Sequence, residues 1–460
     1  MKQLFILLAT CFSLAAFAQK KFDSATYVQY NEKQWEQFDF ASFMAPHPEH
    51  NLAMEEKIAG LGKCWSEAKY NFANFDLVPS LNWDSLYQSF IPKVMATNTT
   101  LEYYQVLQNF YQHLRDGHTG INLPFSFFKD KNAIVPLEVR WIENKAIVIE
   151  NTSNIKEEQV IKPGMELVAF NGIDLKEYIQ KNISPYLHFS TPQDSIDRIY
   201  RYELFPGTAG REVNLTFKTV TGVTITKTLK YKSVEKFWDR FPLVSFKVLK
   251  GNIGYLQVNS FNEQKLVALF DSLYPSIATT KALIIDVRNN GGGNGNNGFE
   301  ILGCLTDKPF NQGKSAIRHY KPVGRSWGGV ETTSIETYDW KPYKKTIYTA
   351  PVVVLTSAAT YSAAEDFTSV YKSMHRGMVI GEPTGGSTGQ PILFSLPGGG
   401  MGRVCAKRDF FYDGTEFVGV GIQPDIVVHP TVKGVAAGKD EVLDAAVQYL
   451  QAQKAIAVTK

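Results

Sequence analysis

Apolar residues in this chain fall into three successive patterns. From about 20 to 130 they recur three and four positions apart, over 52–65 and 101–114, the spacing that gives a helix one buried face. Thr99-Thr100-Leu101-Glu102 supplies a start signal for the second of these. From about 133 to 235 the pattern shortens to β-type runs. VPLEVRWIENKAIVIEN predicts two strands around a polar turn, and IKPGMELVAFNGIDLKEYIQ a Pro-Gly turn, a strand, an Asn-Gly turn and a helical start. VNLTFKTVTGVTITKTLKY predicts a hairpin. From about 240 to 435 strands and helices alternate: GNIGYLQVNSF, NEQKLVALFDSLY, KALIIDVRNNGGG, PVVVLTSAAT, SAAEDFTSVYKSM and GMVIGEPT. This βαβ order predicts a mixed or parallel sheet covered by helices, with functional groups at the carboxyl ends of strands. KDEVLDAAVQYLQAQ closes the chain as an amphipathic helix.

At 460 residues the chain exceeds one compact core, and two or three domains are expected. The small formal charge of +3 and the lack of a Lys/Arg block argue against a nucleic-acid groove. MKQLFILLATCFSLAAFAQKK has the positive start, apolar run and Ala16-Phe17-Ala18 step of a cleaved export signal, residues 1–18. No later run is long and apolar enough to span a bilayer, so an exported chain, periplasmic or extracellular, is expected. Cys11 follows Leu8-Ala9-Thr10, a poor lipoprotein pattern, so a lipid anchor there is not expected. Cys64, Cys304 and Cys405 form neither a disulfide framework nor zinc spacing and read as buried apolar residues.

Three features carry candidate chemistry. Ser362 and Glu365 have the Ser-x-x-Glu spacing of a capping box, and an isolated pattern of this kind ordinarily only starts a helix. Ser362 also follows the buried-strand sequence PVVVLT through a short turn, where a helix N-terminus favours negative charge. Capping and attack are not exclusive readings of this residue. A nucleophile needs a base, and His118 in RDGHTG is the candidate, although spacing alone cannot join it to Ser362. RNNGGGNGNNG, directly after the strand ALIIDV, is either a plain loop or one that presents backbone N–H groups to an oxyanion. It lacks the Lys-Ser/Thr of a phosphate loop. GGSTG, 385–389, matches Gly-x-Ser-x-Gly but runs into the strand-like QPILFSLP, and SVYK lies inside a helix; both are read as coincidences.

In order and spacing, LRDGHTG, IKPGMELVAFNGIDL, GNIGYLQVNSF, ALIIDVRNNGGG, SAAEDF, VIGEPTGGSTGQ and GVGIQPDIVV resemble the C-terminal processing (tail-specific, tricorn-core-like) serine peptidases of family S41. The resemblance implies a multidomain α+β and α/β chain. Its parts would be a helical N-terminal domain (19–130), a PDZ-like β-rich module (133–237), a mixed α/β peptidase core of the ClpP/crotonase type (240–435) and a C-terminal helix (436–460) packed on the core. It implies Ser362 as nucleophile, with Ala363 N–H and a backbone N–H from Gly291, Gly292 or Gly293 as oxyanion hole. Many relatives use a Lys base after a Gly-Glu-x-Thr segment. GEPTGGSTGQ has no Lys, and Ser387 stands roughly in its place. The resemblance then points to the arrangement with an N-terminal His base, His118, and a later carboxylate, Glu416 or alternatively Asp413. It implies cleavage of unfolded or C-terminal polypeptide segments through an acyl-enzyme, with no metal and no cofactor. A non-catalytic ligand or peptide binder on the same fold, or an esterase, is the alternative.

Overall fold

The computed structural model describes residues 51–129, 133–233, 242–329, 332–342 and 346–458, with a few positions between 23 and 45. The expected export signal, Cys11 included, lies outside the described residues. Met1–Phe38 and Asp39–Lys460 are separate units, and the second holds every element that builds the site.

Helices α1 (Met54–Asn71), α2 (Trp83–Met95) and α3 (Thr100–Gln112) come first. Thr99 caps α3 by accepting the Glu102 N–H, as the sequence predicts. Strand β1 (Gly120–Asn122) follows the RDGHTG segment. Next come β2 (Leu137–Ile142), β3 (Lys145–Asn151), β4 (Glu166–Phe170), α4 (Leu175–Asn182), α5 (Pro192–Arg198), β5 (Glu212–Lys218) and β6 (Thr224–Lys230). These strands pair in the order β2-β3-β4-β5-β6, all antiparallel, so β2 is an edge. Glu143 and Asn144 turn β2 into β3 with φ of 51° and 62°, the left-handed pair that a two-residue hairpin needs.

The remaining strands are β7 (Val244–Leu249), β8 (Ile253–Val258), β9 (Ala282–Asp286), β10 (Phe310–His319), β11 (Thr332–Trp340), β12 (Val352–Thr356), β13 (Gly377–Gly381), β14 (Pro391–Ser395), β15 (Met401–Cys405), β16 (Lys407–Phe410) and β17 (Ile426–Val427). Helices α6 (Lys265–Ile277), α7 (Gly295–Leu302), α8 (Ala363–Ser373) and α9 (Glu441–Val458) accompany them. The central sheet runs β7-β8-β9-β12-β13-β17, parallel from β8 onward. Its inner strands β9 and β12 are apolar almost throughout because both faces are covered. Leu283, Ile285, Val352 and Val354 face α6–α8, while Ile284, Val353 and Leu355 face α9.

The helical segment does not close a core of its own. Leu61, Tyr104, Leu107 and Tyr111 pack with Phe394, Leu396, Val404 and Cys405 of the β14–β15 hairpin and its flanks. β1 pairs antiparallel with β15, Gly120 opposite Arg403. That pairing delivers the RDGHTG loop to the carboxyl end of the central sheet. Cys64, Cys304 and Cys405 are buried and form no disulfide. Among the described residues, no helix is long and apolar enough to cross a membrane.

Candidate active site

Ser362 stands between β12 and α8 with φ 55° and ψ −128°. A side chain at positive φ costs about 1–3 kcal/mol, and such strain persists only where neighbours enforce it. Here Tyr361 N–H donates to Asn290 O (3.0 Å), Ser362 N–H to Ser387 O (3.1 Å) and Glu365 N–H to Ser362 O (2.7 Å). The turn lifts the Ser362 hydroxyl off the helix, and its side chain makes no capping bond. The capping expectation is therefore corrected. Glu365 does not reach back to Ser362. Its buried carboxylate accepts Thr384 O–H (2.5 Å), Gly386 N–H (2.7 Å) and Ser387 N–H (2.8 Å). Burial pushes this carboxyl up to about 8, with the three donors acting the other way.

Those bonds fix the loop that carries Ser387, and the loop meets the RDGHTG segment. His118 Nε2 lies 3.0 Å from Ser362 Oγ, and its Nδ1 2.7 Å from Ser387 Oγ. The His118 main chain is held in turn: its N–H donates to Asp116 Oδ1 (2.8 Å), and Asp116 Oδ2 accepts from Asn74 (3.1 Å). Gly117 N–H donates to Ser190 Oγ (2.8 Å), and Gly117 O accepts from Arg403 Nη2 (2.5 Å). Residue 117 has to be glycine, because a Cβ there would sit 2.0 Å from the Tyr361 hydroxyl. Burial first, then the charges of Arg403 and Arg198, hold the imidazole well below the usual histidine range, so it is neutral near pH 7.

The glycine loop approaches from the other side. A Cβ on Gly292 would lie 2.7 Å from Ser362 Cβ and 2.9 Å from Ala363 N, and this residue has φ 100°. Asn290 organises the loop: its side chain donates to Val258 O (3.1 Å) and accepts Gly292 N–H (2.9 Å). The Gly292 N–H, one of the four expected oxyanion donors, is thereby engaged. Those of Gly291, Gly293 and Ala363 have no acceptor among the described residues.

Glu416, expected as the acidic partner, is not at the imidazole. Its side chain is 50% exposed and pairs with Arg408 at 3.4 Å, while Ser387 occupies Nδ1. Among the described residues, Asp413 accepts only a local turn bond from Thr415 N–H. The structure thus brings Ser362, His118, Ala363 and the glycine loop together and leaves Glu416, which the sequence reading had included, outside. Ser387 was not expected as a functional group, although it was visible as the residue standing where relatives keep a Lys. Tyr361, whose ring stacks on the imidazole, gave no signal. Among the described residues no cluster of His, Cys, Asp and Glu could hold a metal ion.

The family model for peptidase family S41 matches residues 252–428. A carboxy-terminal-processing protease of Bartonella bacilliformis is 24% identical over 277 residues, 59% of this chain and 58% of that protein. Chloroplastic carboxyl-terminal-processing peptidase 2 of Arabidopsis thaliana is 28% identical over 41% of this chain and 33% of its own length. The chain therefore spans less than two thirds of these curated relatives. Among solved structures, mature CPAF complexed with lactacystin shares the fold over 88% of this chain and 98% of its own, with TM-score 0.69 at 15% identity. The photosystem II D1 C-terminal processing protease does so over 84% and 98%, with TM-score 0.52 at 19% identity. Residues 252–428 are thus similar to peptidase family S41, within a fold shared with mature CPAF over 88% of this chain.

Proposed function

We propose that this chain is an exported serine endopeptidase that cleaves extended polypeptide through an acyl-enzyme. One observation carries the reading: a strained, outward-turned Ser362 hydroxyl 3.0 Å from the free nitrogen of a buried, neutral imidazole. Ser387 Oγ accepts the Nδ1–H, which leaves Nε2 as acceptor for the Ser362 proton. Ser362 Oγ adds to the peptide carbonyl as Nε2 takes that proton. Ala363 N–H and an N–H of Gly291 or Gly293 stabilise the oxyanion. The imidazolium then gives its proton to the leaving amine. Water, deprotonated by the same nitrogen, releases the acyl group. In this scheme the place of Glu416 at Nδ1 falls to Ser387, whose backbone N–H is held by Glu365.

The antiparallel module around β2–β6 reads as PDZ-like. Its edge strand β2 and α5 border a largely apolar groove of about 680 Å³, lined by Val139, Trp141, Ile196, Tyr200 and Phe205. An unpaired strand edge beside apolar pockets suits an extended peptide added as a further strand. The ClpP/crotonase-type description of the core, the domain boundaries and export belong to the same reading. The test is digestion of an unfolded polypeptide such as reduced casein by the full chain and by Ser362→Ala, with fragments identified by mass. Cleavage confined to wild type is expected; equal inertness of two folded proteins would favour a binding protein on this fold.

A further inference from the structure

A layer of side chains behind the base takes no part in the proton transfers between Ser362 and His118. It begins on α5. Thr191 accepts Asp194 N–H (3.1 Å) and donates its hydroxyl to Gly385 O (2.8 Å), which ties the helix to the loop bearing Ser387. Asp194 is buried, accepts Ser190 N–H (2.8 Å) and pairs with Arg198 Nε at 2.6 Å. The guanidinium is thereby fixed, with Cζ 5.0 Å from the centre of the Tyr361 ring. The His118 imidazole lies against the same ring, centroids 5.0 Å apart and planes at 12°. The Tyr361 hydroxyl is buried and has no hydrogen-bond partner among the described residues. The ring is flanked by the guanidinium, the imidazole and the close approach of Gly117.

We propose that Arg198 is a positioning residue, which holds the Tyr361 ring against the imidazole so that Nε2 stays on Ser362 Oγ, and which confronts the base with a fixed positive charge. A cation over an aromatic face is attractive, and a stacked neighbour resists rotation of the imidazole about its side-chain bonds. Only groups held close to the productive geometry react fast. The charged and titratable groups around His118 come from three other places besides α5. Arg403 of β15 donates to Gly117 O, Asp116 lies on the loop of His118 itself, and His188, kept neutral by burial, stands beside Gly120. Asp194 is turned to Arg198. After burial, Arg403 and Arg198 oppose protonation of the imidazole.

The inference rests on the Ser362–His118 reading, and its test separates the two. Arg198→Met, Arg198→Lys and Tyr361→Leu are made in the full chain. The His118 ring proton is titrated by NMR, and kcat and KM are measured across pH. Arg198→Met is expected to lower kcat about tenfold with KM unchanged. It should also move the imidazole titration, with the acid limb of kcat, to higher pH. Arg198→Lys keeps the titration and recovers part of the rate. Tyr361→Leu loses rate with the charge still in place, and stands in if Arg198→Met does not fold. A wild-type titration in folded Arg198→Met overturns the proposal, as does equal loss in Met and Lys variants with a lowered melting temperature. If wild type shows no Ser362-dependent hydrolysis, the peptidase reading falls, while the NMR titration still decides the role of Arg198.

Discussion

Removing the Ser387 hydroxyl perturbs the imidazole without touching the nucleophile. Ser387→Ala deletes the 2.7 Å acceptor of Nδ1–H, while the backbone bonds to Glu365 and from Ser362 N–H remain. In the resting state the lost bond is neutral and worth about 1 kcal/mol. Once Nε2 has taken the proton it is charge-assisted, worth about 1.5–3 kcal/mol. Only the excess in the transition state slows the chemical step, about 0.5–2 kcal/mol, or roughly 2- to 30-fold. Loss of the enforced tautomer adds to this, because an imidazole without a partner at Nδ1 can carry its proton on Nε2 instead. The expected result is a fall in kcat of about 10- to 100-fold, with KM unchanged. The melting temperature should drop by only a few degrees, as one side-chain bond is lost. A fluorogenic peptide at saturating and limiting concentrations, with a thermal melt, measures all three. An unchanged kcat would refute the orienting role. A loss as complete as that of Ser362→Ala would refute it too, since an orienting group leaves residual turnover.

Further expectations come from the same geometry. Glu416→Gln should keep kcat within about twofold, because a half-exposed carboxylate paired with Arg408 lies off the imidazole network; a loss beyond about tenfold would restore Glu416 as the acidic partner. Gly292→Ala should abolish turnover, by about a hundredfold or more, since its Cβ would meet Ser362 Cβ at 2.7 Å from a backbone at φ 100°; steady-state kinetics on the folded variant check this. The acid limb of kcat/KM should lie below the ordinary histidine value of 6.5, because burial, Arg403 and Arg198 depress His118 in the folded chain. The sign carries over to stability. Below 6.5 the unfolded chain binds the proton and the folded chain does not, so this contribution is present above that pH and is lost as pH falls toward the folded value. A His118→Gln comparison of melting temperature across about pH 5–7 would show it.

Much of the scaffold was legible because its physics is local. ALIID and VVVLT are apolar almost throughout, the mark of strands covered on both faces, and the turns at 143–144 and 171–172 use Asn144, Asn171 and Gly172, which tolerate positive φ. The long β10–β11 hairpin was not read, since one of its faces is largely exposed and its register shifts between Asn311 and Lys314. The meeting of His118 with Ser362 was expected from the family resemblance alone and not from spacing, since it depends on a three-residue strand pairing with β15. No periodicity betrays so short a strand. The Ser-x-x-Glu pattern misled for a physical reason. With Ser362 at positive φ its hydroxyl turns away from the helix, and Glu365 is released to hold the Ser387 loop. Local rules are expected to fail at sites where strain serves function.

The central claim is that the Ser362 hydroxyl is activated by His118. The direct measurement is the intact mass of the full chain after treatment with a fluorophosphonate, with the adduct located by peptide mapping, in wild type and His118→Ala. One adduct on Ser362 in wild type, formed about a hundredfold or more slowly in folded His118→Ala, is the predicted outcome. An adduct on another residue, or equal labelling of the two proteins, would contradict the account.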